Sequence, residues 1–314
     1  MIVLVCPGQG SQTPGFLAPW LELPGLRDQL TALSDAAEVD LVTHGTTSGE
    51  DTIKDTAVAQ PLLVGAGLLA LRALADPDAA AGPAPAPAGT GALAGHSVGE
   101  ITAAAAAGVL AETEAMRFVA QRGRAMAAAS AATPTGMSAV LGGDPDEVLA
   151  ALARHDLTPA NVNGAGQVVA AGALEALAAL AADPPARARV IPLKVAGAFH
   201  THFMQSAVGE LRADWSDSDV SDPGVTLVSN RDGAVVTEGR DVLDRLVAQV
   251  SNPVRWDLCM ERFTELGASA MIELPPAGTL VGLAKRAMKG VQLLALKTPE
   301  DLDAARTLIK EHSA

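Results

Sequence analysis

The chain is poor in aromatic residues and in cysteines. Its 314 residues include no tyrosine, and aromatic side chains make up only 3% of them. Since 49% of the residues are hydrophobic, alanine and the aliphatic side chains must fill a core large enough for one big domain, or a big domain with a smaller one. The two cysteines, Cys6 and Cys259, form no C-x-x-C pair, and Cys6 lies in the first apolar run, where we expect a buried free thiol.

Basic residues are also in short supply. Lysine and arginine number 22 against 36 aspartates and glutamates, which gives a formal net charge of −14. This balance argues against a nucleic-acid-binding protein, because phosphate contacts need a basic surface. An acidic partner would have to approach a local basic patch.

No targeting or membrane segment is recognisable. Met1–Cys6 is apolar but too short for a signal peptide, lacks a basic start and runs directly into a glycine-rich loop. Longer apolar stretches are broken by charged residues, glycine or proline. We therefore expect a cytoplasmic protein that does not associate with a membrane.

The most informative segment is the pentapeptide Gly95-His96-Ser97-Val98-Gly99, which lies between an apolar run and an alanine-rich helical run. A G-x-S-x-G sequence in this setting favours a nucleophile elbow, in which a strand turns sharply at the serine into a helix. Glycines are needed on both sides, where strand and helix pass closest. The serine Oγ would then stand at the helix N-terminus, where the backbone N–H of Val98 and the helix dipole stabilise an oxyanion.

The order of elements predicts an α/β fold. Ile2–Cys6 reads as a β-branched strand, 25–37 and 57–75 have helical apolar spacing, and Pro83–Gly91 reads as an exposed linker. A second strand leads into the elbow, and two helices follow at 99–108 and 111–130. Strands that alternate with helices indicate buried parallel strands.

The middle of the chain has a different rhythm. Strand and helix patterns between Met137 and Val195 follow the order β-α-β-β-α-β of a ferredoxin-like unit. We therefore predict a ferredoxin-like subdomain at 133–196, inserted into a large parallel-sheet, hydrolase-like domain made of 1–132 and 197–314. In the last part, we expect a helix at 253–266 and a frayed tail around His312.

A serine nucleophile at neutral pH needs a base, and the chain has six histidines. His96 is a weak candidate, because neighbouring side chains in an elbow point apart. Its alternative is a packing or hydrogen-bonding role. Three others are set aside: His44 lies in a polar stretch, His155 ends a predicted helix of the inserted unit, and His312 lies in the tail. His200 and His202 remain, where the inserted unit returns to the large domain and a cleft is expected.

Six short motifs occur in an order that resembles a known family. The chain resembles malonyl-CoA:acyl carrier protein transacylases of type II fatty acid synthesis, and it is similar to the acyltransferase domains of polyketide synthases. The resemblance runs from the first strand to about residue 290. The motifs are Pro7-Gly8-Gln9-Gly10-Ser11-Gln12, Gly95-His96-Ser97-Val98-Gly99-Glu100, Gln121-Arg122-Gly123, Asn161-x-Asn163, Phe199-His200 and Gln249-x-x-Asn252-Pro253-Val254.

The resemblance implies roles for particular residues. Ser97 corresponds to the nucleophile and His200, which follows a phenylalanine, to the base, whereas His202 is then structural. The main-chain carbonyl of Gln249 would hold the imidazole in its working tautomer. Because a main-chain carbonyl takes the place of the usual acid, no aspartate or glutamate motif is expected for the third member of the triad.

The resemblance also outlines the substrate site. The backbone N–H groups of Gln9 and Val98 would form the oxyanion hole. Asn161 and Asn163 would line the face of the inserted subdomain, and His96 is a further candidate for the substrate site.

Arg122 is the expected partner of the malonyl carboxylate. Malonyl differs from acetyl only by this carboxylate, so a selective enzyme must bury a cation, and a planar guanidinium can hold both oxygens. Spacing alone favours the other interpretation, in which Arg122 is a surface arginine like Arg117 and Arg124 on the same helix. The match to the family motif favours the substrate role.

Phe199 is the expected steric gate beside the base. The polyketide acyltransferases that this chain resembles carry phenylalanine before the histidine when they are malonyl-specific, and tend to carry serine when methylmalonyl-specific. A phenyl ring there would fill the space that an α-methyl branch needs. The alternative is that Phe199 only packs the domain junction.

Two further patterns have other interpretations. Gly8-Gln9-Gly10 lacks the residues of a phosphate-binding loop or a dinucleotide fingerprint, so we do not expect nucleotide binding there. Lys285, Arg286 and Lys289 form the best basic cluster of an acidic chain. Such a cluster is most often a solvated helix end, but it is a candidate docking site for an acidic carrier protein.

The reaction implied is a two-step transfer of malonyl from malonyl-CoA to the phosphopantetheine thiol of acyl carrier protein, in fatty acid or polyketide synthesis. It requires no metal or cofactor. The alternative is a serine esterase or thioesterase of the α/β-hydrolase type, which shares the elbow but has its histidine near the C-terminus. Only His312 lies there.

Overall fold

The computed structural model describes residues 1–75 and 85–313. The first two residues of the predicted Pro83–Gly91 linker therefore lie outside the described residues, and its last two already belong to a strand. The described strands are β1 Ile2–Cys6, β2 Thr90–Gly95, β3 Thr135–Gly142, β4 Thr158–Gly164, β5 Gln167–Ala173, β6 Ala188–Pro192, β7 Leu227–Val228, β8 Val235–Val236, β9 Val254–Arg255, β10 Ala270–Glu273 and β11 Gln292–Ala295.

Helices pack around both sheets that these strands form. Short 3₁₀ turns occupy Trp20–Glu22, His202–Met204 and Pro299–Asp301. The described α-helices are α1 Leu26–Ala37, α2 Leu41–Thr46, α3 Glu50–Lys54, α4 Thr56–Ala75, α5 Gly99–Ala106, α6 Glu112–Ala132, α7 Pro145–Arg154, α8 Leu174–Ala182, α9 Gln205–Trp215, α10 Gly239–Gln249, α11 Trp256–Glu265, α12 Thr279–Ala287 and α13 Leu302–His312.

The larger sheet is buried on both faces. Its strand order is β11-β10-β1-β2-β7-β8, and all neighbours are parallel except β7 and β8. Alternate residues of β1 serve different cores: Ile2 and Leu4 pack on one side, Val3 and Val5 on the other. Continuous apolar strands are what a doubly covered parallel sheet requires. The predicted α/β fold is confirmed.

The smaller sheet has the order β6-β3-β5-β4-β9. Its first four strands are antiparallel and, with α7 and α8, follow the predicted β-α-β-β-α-β sequence around a separate apolar core. The fifth strand, β9, comes from a later part of the chain and pairs in parallel with Asn161 and Val162 of β4. The ferredoxin-like unit is thus confirmed as an element of the fold, while the division at 133 and 196 stays a prediction.

Two local predictions are wrong. The helix expected at 253–266 begins only at Trp256, because Val254 and Arg255 are drawn into the smaller sheet. The tail around His312 is not frayed. It belongs to α13, which buries an apolar face, and the His312 Nδ1 lies 2.7 Å from Ser269 Oγ.

Helix α4 lies in the core. By length and composition it could cross a membrane, yet 83% of its most apolar stretch is buried inside the protein, as for a core helix. It contains Pro61 within its length. Both cysteines are buried free thiols, as expected for Cys6.

Candidate active site

The G-x-S-x-G segment forms a strained turn between β2 and α5. Ser97 has a φ of +54°, a left-handed conformation that non-glycine residues rarely adopt. A Cβ on Gly95 would overlap the backbone of Gly99, and a Cβ on Gly99 would overlap the carbonyl of Cys6. The two glycines are therefore required by contact between strand and helix, and the predicted elbow is present.

Ser97, His200 and the backbone of Gln249 lie in one hydrogen-bonded line. The Ser97 Oγ is 2.7 Å from His200 Nε2, and His200 Nδ1 is 2.8 Å from the Gln249 carbonyl oxygen. Because a carbonyl only accepts, Nδ1 must carry the proton, which leaves the Nε2 lone pair for the serine. Burial and the charge of Arg122 lower the pKa of His200 to about 3, so the ring is neutral at neutral pH.

The base is held by the backbone around it. His200 also has a left-handed φ, of +61°, and its N–H donates to the carbonyl of Val250 at 3.1 Å. Thr201 Oγ1 donates back to the carbonyl of Ala198 at 2.6 Å. His202 is exposed, stacks on Phe203 at 4.1 Å between ring centroids, and does not line the cavity at Ser97.

A cavity of about 210 Å³ opens at Ser97 between the two sheets. Sequence reasoning did not anticipate Gln60, Met126 or the first turns of α12, which contributes Thr279, Leu280 and Leu283 to the wall. The predicted site residues that line it are Gln9, His96, Ser97, Val98, Asn161, Asn163, Phe199 and His200.

Two residues that line this cavity carry free backbone donors. Among the described residues, the N–H groups of Gln9 and Val98 have no hydrogen-bond acceptor. Val98 precedes the first residue of α5, where the positive end of the helix dipole lies. Free N–H groups beside a serine Oγ suit the stabilisation of an oxyanion.

The side chain of His96 bonds to the smaller sheet and not to Ser97 or His200. Its Nε2 lies 2.9 Å from Asn163 Oδ1, and its ring meets Trp256 edge to face at 5.7 Å. Burial lowers its pKa. His96 is therefore a hydrogen-bonding wall residue that orients Asn163, and not a second base.

Arg122 is only 1% exposed, whereas Arg117 and Arg124 of the same helix are exposed. Its Nη1 donates to Gln60 Oε1 at 2.6 Å and its Nη2 to Gln249 Oε1 at 2.8 Å. Burial lowers its pKa to about 10, against the opposing effect of Glu100, so it stays charged. Arg122 lies behind the cavity wall, which Gln60 forms in front of it.

Two polar residues under the elbow escaped the sequence analysis. Asn230 is fully buried and its Oδ1 accepts the N–H of Ser97 at 2.8 Å. Glu100 is 6% exposed and accepts hydrogen bonds from Asn230 and Gln249. Glu100 is the last residue of the motif Gly95-His96-Ser97-Val98-Gly99-Glu100. An acidic residue beside an apolar run was the one sequence feature that could have indicated its role. For Asn230, in a loop after a two-residue strand, there was none.

The basic cluster lies on the same helix as part of the cavity wall. Lys285 and Arg286 are exposed in the last turn of α12, and Lys289 is exposed two residues beyond its end, past the turns that reach the cavity. The described residues contain no group of three His, Cys, Asp or Glu side chains that could hold a metal ion.

An α/β fold with a ferredoxin-like unit beside a serine–histidine elbow defines the class of acyl-transferring serine enzymes. A sequence model of the acyl transferase domain matches residues 3–311, and the chain belongs to this family. It is 54% identical over 308 residues to the malonyl CoA-acyl carrier protein transacylase of Mycobacterium tuberculosis, with 98% of this chain and all of that protein covered.

Solved structures agree with this. The crystal structure of the Mycobacterium tuberculosis protein named MCAT superposes with a TM-score of 0.91 at 54% identity, over 98% of this chain and 99% of that one. A malonyl-transacylase solved in complex with its type II polyketide-synthase acyl-carrier protein superposes with a TM-score of 0.87 at 29% identity, over 98% and 99% of the two chains.

Proposed function

We propose that this chain transfers malonyl from malonyl-CoA to the phosphopantetheine thiol of an acyl carrier protein, through a malonyl ester on Ser97. The observation that carries the proposal is the hydrogen-bonded line from Ser97 through His200 to the Gln249 carbonyl, at a cavity backed by the buried Arg122. Full-length similarity to malonyl transacylases supports the choice of acyl group. The esterase alternative is not favoured, because its histidine would lie near the C-terminus.

In the first half-reaction, Ser97 Oγ attacks the thioester carbonyl while His200 Nε2 takes the hydroxyl proton. The tetrahedral intermediate collapses, the C–S bond breaks, and the CoA sulfur leaves with the proton from His200. The Gln249 carbonyl holds Nδ1–H throughout and so stabilises the transient imidazolium.

The oxyanion of each intermediate is assigned to the backbone N–H groups of Gln9 and Val98. Neither N–H group has another acceptor among the described residues, so neither has to break a hydrogen bond before it binds the oxyanion. Fixed donors of this kind need no reorganisation during the reaction.

The free malonyl carboxylate is assigned to Arg122. Its two guanidinium nitrogens already hold two amide oxygens, of Gln60 and Gln249, in the forked arrangement that suits a carboxylate. Displacing the Gln60 oxygen would bring the anion to Nη1. Asn161, Asn163 and His96 line the opposite wall, and Phe199 narrows the cavity beside the base.

In the second half-reaction, the carrier's thiol gives its proton to His200 and its sulfur attacks the malonyl ester. Ser97 Oγ then leaves and recovers the proton. We propose that the acidic carrier docks on Lys285, Arg286 and Lys289, since α12 joins this cluster to the cavity wall. Nucleic acid and membranes are not partners in this proposal.

Side chains and backbone of this chain handle every proton and charge in the scheme, so we propose that it needs no cofactor or metal. The phosphopantetheine belongs to the carrier. We retain the domain division at 133–196 and place the enzyme in the cytoplasm. It would supply extender units for fatty acid synthesis, and for polyketide synthesis where the carrier is of that kind.

Mass measurement tests the proposal directly. Malonyl-CoA without carrier should add one malonyl group to Ser97, and holo-carrier should then remove it as a malonyl thioester. Ser97→Ala should abolish both steps, and His200→Ala should slow both by about 10² or more. Malonylation of the alanine variant at position 97, or release of free malonate in place of malonyl-carrier, would contradict the proposal.

A further inference from the structure

Both peptide groups of Ser97 are held by buried side chains from distant parts of the chain. The N–H of Ser97 donates to Asn230 Oδ1 at 2.8 Å, and the carbonyl of Ser97 accepts from Gln249 Nε2 at 3.1 Å. Asn230 Nδ2 also donates to the carbonyl of Gly95 at 2.5 Å, on the strand side of the turn. The left-handed backbone of the serine is thus clamped from two sides.

One carboxylate joins the two clamps. Glu100 Oε1 accepts the backbone N–H of Asn230 at 2.5 Å, and Glu100 Oε2 accepts the same Gln249 amide group that donates to Ser97. Glu100 lies in the first turn of α5, three residues after the serine. The carboxylate has two acceptor oxygens, and each of them serves one clamp.

Glu100 also fixes which way the Gln249 amide points. With an acid at one end and the guanidinium of Arg122 at the other, the amide NH₂ must face Glu100 and its oxygen must face Arg122. The same residue presents its main-chain carbonyl to His200. Through Gln249, Glu100 therefore helps to fix both the backbone of Ser97 and the main-chain carbonyl that supports His200.

We infer that Glu100 is a positioning residue for the acyl transfer, which holds the strained Ser97 backbone and the Gln249 support of His200 in register through a single buried carboxylate. Strained conformations persist only where surrounding contacts over-determine them. The inference rests on the proposed role of Ser97 as nucleophile. It assigns Glu100 no contact with substrate.

A different role for Glu100 would be to balance the charge of Arg122. The two roles differ in what they require. Charge balance needs only a carboxylate in the neighbourhood, whereas the bridge needs two acceptor oxygens at the present reach. Glu100→Gln removes the charge and turns one acceptor into a donor that faces another donor. Glu100→Asp keeps the charge but is one methylene too short to span both clamps.

The test measures the reactivity of Ser97 without malonyl-CoA. A small alkyl fluorophosphonate forms a P–O bond with the serine as fluoride leaves, and it carries no carboxylate for Arg122 to recognise. We expect both Glu100→Gln and Glu100→Asp to slow its labelling and the malonylation by malonyl-CoA in parallel, by about 10- to 100-fold, as small misplacements of reacting groups do. The KM for malonyl-CoA should change little.

Labelling of Glu100→Asp at the wild-type rate would overturn the inference in favour of charge balance. Labelling of Glu100→Gln at the wild-type rate would overturn it as well, because Ser97 would then need neither the charge nor the second acceptor oxygen. Thermal melting identifies a variant that does not fold, in which case the other one decides. As a further check, Asn230→Ser should add little to the loss in Glu100→Gln, because both changes release the same clamp. Wild-type protein that neither reagent labels at Ser97 would instead contradict the proposed function.

Discussion

Arg122 donates to Gln60 Oε1 at 2.6 Å, and of these two residues only Gln60 lines the Ser97 cavity. We therefore expect a malonyl carboxylate that reaches the guanidinium to displace the Gln60 amide oxygen, which stands between Arg122 and the cavity. A carboxylate is the stronger partner, since it adds the attraction of opposite charges and can accept two parallel N–H bonds from the guanidinium. An acetyl group offers no such replacement and leaves the Gln60 contact in place.

Removal of Arg122 should accordingly penalise malonyl far more than acetyl. A buried carboxylate left without its partner costs roughly 3–5 kcal/mol, so Arg122→Ala should lower kcat/KM for malonyl-CoA by about two to four orders of magnitude. Acetyl transfer should fall far less. Arg117→Ala and Arg124→Ala, on the exposed side of the same helix, are the matched controls. Equal losses for the two acyl-CoAs would show that Arg122 does not recognise the carboxylate.

Phe199 should exclude an α-methyl branch. Its side chain is 7% exposed and forms the cavity wall next to His200. Because one methyl group is worth only about 1–3 kcal/mol in an apolar pocket, Phe199→Ser should shift the product ratio toward methylmalonyl by roughly 10- to 200-fold at most. Competition between equal malonyl-CoA and methylmalonyl-CoA measures this. An unchanged product ratio in a folded variant would show that Phe199 is not the steric gate. Val98, the apolar residue next to Ser97, would then be the next candidate.

Charge reversal on α12 should affect only the second half-reaction. The triple change Lys285→Glu, Arg286→Glu and Lys289→Glu should raise the KM for the acidic carrier, while malonylation of Ser97 by malonyl-CoA keeps its rate. The effect should shrink as salt is added, because exposed charges are screened. Steady-state kinetics at two ionic strengths provide the measurement. A carrier KM equal to that of the wild type would place the docking surface elsewhere.

The acid limb of the pH profile should belong to Glu100. Burial raises its pKa to about 7, so lowering the pH through 7 protonates it and replaces one acceptor by a donor. Of its charged or ionisable neighbours, Arg122 and Arg245 stay charged and the buried Cys259 stays neutral in this range. Wild-type malonylation should therefore slow below about pH 7.

In Glu100→Gln that limb should disappear. The remaining limb is that of His200, whose lowered pKa puts its protonation well below the ordinary value of 6.5, so the variant should be slow but insensitive to pH between 6 and 8. Single-turnover malonylation at a series of pH values compares the two proteins. A limb near pH 7 that survives in the variant would assign it to another group.

A local sequence pattern predicts those parts of the site that are local, whereas the distant His200 and Gln249 could be assigned only through the resemblance to a known family. The elbow follows from two glycines and a serine within five residues, and the structure has the strained turn that this spacing indicates. The wall residues on α12 and the clamp from Asn230 are different, because chain segments more than a hundred residues away from Ser97 supply them. A local sequence pattern contains no information about which distant segments will contact Ser97.

The same limit explains the errors in the fold. Val254 and Arg255 read as the start of a helix because an amphipathic pattern follows them, yet pairing with β4 overrides this local preference. His312 was expected in a frayed end, whereas the apolar stripe of Leu302, Leu308 and Ile309 docks the tail on the core.

The two-residue strand β9 couples the position of the smaller sheet to the position of the catalytic base. It begins five residues after Gln249, whose carbonyl supports His200, and it is hydrogen-bonded to the smaller sheet at Asn161 and Val162. One short stretch of chain thus connects the wall of the cleft to the Gln249 carbonyl that holds His200. Any rocking of the smaller sheet would displace the base as well, so a hinge between the two sheets would interrupt catalysis. A swing of the Gln60 side chain would admit a malonyl carboxylate to Arg122 without any displacement of this backbone frame.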